Sequence, residues 1–105
     1  MYNLLAQQRL NEIEVKLEKT LDIIEKMHMW SIFIDSFSEE TQTSFDKHYT
    51  EFLKLCEKYV LIPDPVARKD LKEQIKTVAL ELRHFNSIMT RVTSIQKTLE
   101  KALIS

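Results

Sequence analysis

From Pro65 to about Ile104 the chain keeps a single rhythm. Leu71, Ile75, Val78, Leu82, Phe85, Met89, Val92, Gln96, Leu99 and Leu103 alternate steps of four and three residues, and only Gln96 is polar. That is the a/d stripe of knobs-into-holes packing, and it predicts a helix about 58 Å long. Ile88, Ile95 and Ala102 form a second apolar line on its flank. A first segment, about 2–35, carries Leu10, Ile13, Leu17, Ile24, Met27 and Ile34 at the same spacing, with Thr20 and Ser31 in the two remaining seam places. Leu21, Ile23, Trp30, Phe33 and Phe37 widen this stripe toward its end, as expected of a face covered by two partners. A second segment, about 37–61, steps through Phe45, Tyr49, Phe52, Cys56 and Tyr59.

Two joints divide these segments. Ile62-Pro63-Asp64-Pro65-Val66 is the stronger: each proline biases its predecessor away from the α region, Asp64 suits an N-cap, and Pro65 suits the first helical position. The other is read at 36–44, where Ser36, Ser38, Thr41, Thr43 and Ser44 crowd hydroxyls into a short stretch and Ser36-Phe37-Ser38-Glu39 has capping-box spacing. The expected fold is an all-α, elongated up-down-up three-helix bundle, a single domain over 1–105 with helices at about 2–35, 37–61 and 65–104. The competing fold is a long helical hairpin that dimerises, because the apolar rhythm runs on through Ile34, Ser38, Thr41 and Phe45.

Those lengths carry a consequence. A second helix of about 25 residues leaves the third overshooting it by roughly 20 Å. Ile88, Ile95, Leu99, Leu103 and Ile104 then form an uncovered stripe, which is the expected interface. Leu4 and Leu5 overhang the opposite end, where fraying is the expected outcome.

Composition narrows the picture. The 105 residues contain no glycine and two prolines, so hairpin turns, phosphate-cradling loops and αL caps lack their usual residue. Fifteen Lys and Arg oppose sixteen Asp and Glu, a balance that gives no basic excess for nucleic acid. No apolar run approaches the roughly 20 residues of a spanning helix, and the first residues lack the charged-then-apolar order of a signal peptide. The single Cys56 excludes an internal disulfide and a multi-cysteine metal site, and it is compatible with a reducing, cytoplasmic setting.

Candidate chemistry is sparse. Glu25-Lys26-Met27-His28 and Glu81-Leu82-Arg83-His84 both read Glu-x-x-His, the carboxylate–imidazole spacing from which helical bundles build dinuclear metal sites. The seam phase puts Glu25, His28, Glu81 and His84 on flanks rather than inward, so a solvated face is the preferred reading. His48 and Cys56 stand two turns apart, too far for a nucleophile–base pair on one straight helix. Trp30 is read as core, and Arg68, Lys69, Lys72, Lys76 and Arg83 as a solvated basic face rather than a lipid-binding one. No cofactor and no small-molecule substrate is implied.

About a hundred residues in three helices, with Trp30 in the first and a long third, resembles a spectrin-type repeat and is similar to the N-terminal three-helix domain of syntaxins. The resemblance implies a module of a cytoskeletal or membrane-trafficking protein. Trp30 stands later in its helix, and the second helix is shorter, than the spectrin pattern has them, so no residue role is carried over. The function expected from the residues themselves is a non-enzymatic interaction or scaffold module whose partner is a protein, either a second copy or another helical subunit.

Overall fold

The computed structural model describes residues 2–105, with side chains from Asn3 onward. Among the described residues there are three helices and no strand: α1 (Tyr2–Lys19), α2 (Ile23–Leu61) and α3 (Pro65–Ile104). The fold is all-α and runs up, down and up. Asn3 donates to Glu81 while Asn11 and Glu14 both meet Arg91, so α1 lies parallel to α3. Arg9 pairs with Glu40 and Thr20 meets Met29, so α1 is antiparallel to α2. Trp30 is level with Gln96, Phe45 with Phe85, and Tyr59 with Arg68, which sets the register of a long α2–α3 hairpin.

The second joint falls where the prolines put it. Ile62 is extended (φ −90°, ψ 122°) before Pro63, and Asp64 caps α3 by accepting from Val66 N at 3.2 Å. The first joint does not fall at 36–44, which lies inside α2; the chain breaks at 20–22 instead. Two physical reasons account for this. Helices absorb hydroxyls by bonding them back one turn, and Thr43 Oγ1 donates to Glu39 O at 3.0 Å and Ser36 Oγ to Phe33 O at 3.4 Å. Asp22 is also the better cap: extended at φ −81°, ψ 126°, its Oδ1 accepts from Ile24 N at 2.8 Å and Glu25 N at 3.2 Å. Lys16 and Lys19 close α1 and Glu25 opens α2, each with the sign that its helix end favours. The caps at both turns, Asp22, Ile62 and Asp64, are extended, and no described residue has positive φ, so the described fold never calls on glycine.

Moving the joint changes the proportions. α2 has 39 residues and α3 has 40, so the hairpin arms match, while α1 has only 18. α1 covers the half of the hairpin remote from the proline loop. There Ala6, Leu10, Ile13 and Leu17 pack with Trp30, Phe37, Ile88, Val92 and Leu99 in one buried cluster. A smaller cluster of Leu55, Leu71 and Val78, flanked by Phe52, Tyr59, Ile62 and Ile75, holds the two-helix half together. Between the clusters α2 turns polar inside, with Thr41 buried and Ser44 and His48 half-buried.

Candidate functional site

The residues expected to form an interface largely belong to the core. Ile88 and Leu99 are buried and Ile95 packs against the same cluster, because α2 begins at Ile23 and reaches the level of α3's last turns. Leu103 and Ile104 remain exposed at the tip. Ile24, expected in the seam, is exposed as well, since the break at 20–22 resets the phase of the stripe. Trp30 is buried, as core packing requires, but it sits in α2 rather than in the first helix. The outline that resembled a spectrin repeat therefore loses the residue that carried it.

Polar contacts within the bundle are structural clasps. Trp30 Nε1 donates to Gln96 Oε1, so the one polar residue of the α3 seam satisfies a buried indole. Arg9 pairs with Glu40 while its guanidinium lies 5.6 Å from the Phe33 ring centre and 5.3 Å from that of Phe37. Arg91 donates from Nε to Glu14 at 3.0 Å and from Nη2 to Asn11 at 2.6 Å, tying α3 to α1.

The two Glu-x-x-His motifs are not brought together. Glu25 and His28 are exposed beside the first turn of α2, whereas Glu81 accepts from Asn3 Nδ2 next to half-buried His84 near the middle of α3. By the hairpin register His84 is level with about Ser44, roughly 24 Å along α2 from His28. Among the described residues no group of three or more His, Cys, Asp or Glu side chains is placed to hold a metal ion. His48 Nδ1 lies 2.8 Å from Ser44 O and its ring packs on Phe85, while Cys56 is half-buried two turns further on.

What the structure leaves uncovered is the side of the hairpin facing away from α1. Tyr49, Leu53, Cys56 and Val60 step four, three and four residues along α2, about 150° round the helix from Phe33 and Phe37, which face α1. Tyr49, Leu53 and Val60 are exposed by 46%, 50% and 70%. On α3, Ile75, Leu82 and Met89 recur one heptad apart along the same side; the first two are half-buried and Met89 is 41% exposed. Phe45 stacks on Tyr49 and meets Phe85 edge-on at the head of this face, where Gln42, Asn86 and Met89 rim a shallow groove. The α1-facing side of the two-helix half is different in kind: Lys47, Glu51, Lys54 and Lys58 oppose Asp70, Gln74 and Thr77, all exposed. Solvent suits that side; it does not suit the back.

The second segment's expected seam splits between two lines: Phe52 and Tyr59 face inward with Leu55 and Ile62, whereas Tyr49 and Cys56 lie on the uncovered side with Leu53 and Val60.

Among the described residues, fold and face together define a three-helix, all-α protein with a periodic apolar line left uncovered on the back of its hairpin. Set against protein-family models, curated proteins and solved structures, the chain matches none of them. Among the described residues no helix is long and apolar enough to cross a membrane.

Proposed function

We propose that this protein is a non-enzymatic interaction module that docks another helical element, through coiled-coil-like seams, on the back of its α2–α3 hairpin. One observation carries the reading: the line Tyr49, Leu53, Cys56, Val60 keeps helical spacing while all but half-buried Cys56 are exposed, as is Met89 across the groove. Scattered single apolar residues on a surface need no explanation, but a periodic stripe on adjoining helices has the pattern of an interface. A rod 61 Å in its longest dimension, with such a side, supports a scaffold or oligomer-building role. The unpaired thiol of Cys56 suits a reducing cytoplasm.

Replacing Leu53 with a photo-reactive amino acid in cells that make the protein tests this reading. A discrete protein adduct is expected from position 53 and not from the control position Thr43, which is exposed on a different side of α2. No adduct at position 53, with the chain folded, ends the proposal.

A further inference from the structure

The back face is bordered by charge, and the charge is sorted. Toward the back and outer side of α2 the charged residues Asp35, Glu39, Asp46 and Glu57 are all acidic, and its lysines, Lys26, Lys47, Lys54 and Lys58, lie toward α1 or α3. α3 is sorted the other way in its first half. Lys69, Lys72, Lys76 and Arg83 border the back and outer side, with Glu73 tied to Lys76 at 3.4 Å, while Asp70 and Glu81 lie toward α1. An apolar stripe thus runs between an acidic edge and a basic edge on one surface.

A surface of that design is complementary to itself. When a second copy is turned by a two-fold axis parallel to the hairpin, its back face meets the first, α2 lies antiparallel against α3 of the other copy, and the proline loops sit at the same end. Heights are preserved by such an axis, so the internal register also governs contacts between copies. Phe45 is level with Phe85 and Tyr59 with Arg68, which sets Asp46 near Arg83 of the second copy and Glu57 near its Lys72. The basic stripe then has opposite charge to face, and the apolar stripes lie between the charged borders. From Ser38 to Val60 the face is about 33 Å long and, as two helices side by side, roughly 20 Å wide, a footprint of roughly 660 Å² against the about 800 Å² per partner of a stable interface.

Resting on the docking reading above, we propose that the occupant of the back face is a second copy of this chain, paired about a two-fold axis along the hairpin. The test is a charge exchange on the whole chain. Asp46→Lys with Glu57→Lys makes one variant, and Lys72→Glu with Arg83→Glu makes the other; all four positions are exposed, so both variants keep the fold, as circular dichroism checks. The parent sediments as a dimer at micromolar concentration. Each variant alone dimerises at least about tenfold more weakly, because like charges then meet at both symmetric contacts. Mixed one to one, the variants restore a heterodimer of parental affinity. A parent that stays monomeric at high micromolar concentration, or variants that pair alone as well as they do mixed, overturns the proposal. The photo-adduct separates the two readings: an adduct at position 53 of a mass other than two chains leaves docking standing and removes self-pairing, whereas no adduct removes both.

Discussion

A single polar residue in an apolar seam decides how the upper core is closed. Gln96 interrupts the α3 stripe because Trp30, 3% exposed, brings an indole N–H that needs an acceptor. Gln96→Leu keeps the volume but strands that donor, and the expected cost is about 1–3 kcal/mol. Each kcal/mol corresponds to about 4–8 °C in Tm for a domain of this size. Trp30→Phe added to Gln96→Leu recovers part of the loss; equal losses in the single and double variants would show that the hydrogen bond is not what Gln96 supplies. Arg9 gives a second case. Its guanidinium covers Phe33 and Phe37 while it pairs with Glu40, so Arg9→Ala costs about 1 kcal/mol, and Arg9→Lys, lacking the planar group, restores little in a urea melt. The sequence made Trp30 legible as core and Gln96 as an exception in the seam. It did not make their pairing legible, because residues 66 apart meet only once the hairpin register exists.

At the scale of elements, one misplaced joint accounts for most of the distance between expectation and structure. The hydroxyl cluster at 36–44 resembled a break because Ser and Thr compete with the helix for backbone groups, yet inside a helix the same hydroxyls bond back to carbonyls one turn earlier. The true break has a weaker compositional mark and a stronger stereochemical one: Asp22 stands three residues before Glu25, just after polar Thr20 takes a seam place, and its side chain accepts from Ile24 N and Glu25 N. Asp22→Ala is expected to cost about 1 kcal/mol. Changing Thr20, Leu21 and Asp22 together to alanine removes both the cap and the turn. α1 and α2 then tend to fuse into one helix of about 60 residues, carrying Leu10, Ile13 and Leu17 away from their own core. The expected product is an exchanged dimer with increased helicity by circular dichroism and doubled mass by light scattering, even when Leu53→Glu blocks the back face. A monomer with parental helicity would show that packing of α1, rather than the Asp22 cap, fixes the turn.

Across the whole molecule, stability is unevenly distributed. α1 adds its apolar face to one half only, so the half bearing the proline loop has a smaller cluster. Native-state hydrogen exchange is expected to find amides of 50–60 and 68–78 less protected than those of 30–37 and 88–99; uniform protection would mean that the hairpin opens as one unit. The helical class, the proline joint and the α3 stripe were legible because each is a local pattern. The position of the uncovered face was not, since it depends on how far α1 reaches along the hairpin. The sorted borders of that hairpin have a further physical meaning. In its proline-loop half the acidic back of α2, the largely basic front of α2, Asp70 on the front of α3 and the basic back of α3 alternate round the cross-section, which gives the rod's charge pattern quadrupole character. A quadrupole's field falls with distance faster than that of a net charge or a dipole, and screening beyond about 8 Å in physiological salt removes what is left. Two such rods do not steer each other from afar. They meet at the unsteered rate of about 10⁵–10⁶ M⁻¹s⁻¹, nearly independent of salt, and the charges act only at touching distance, where they select the one orientation whose signs agree.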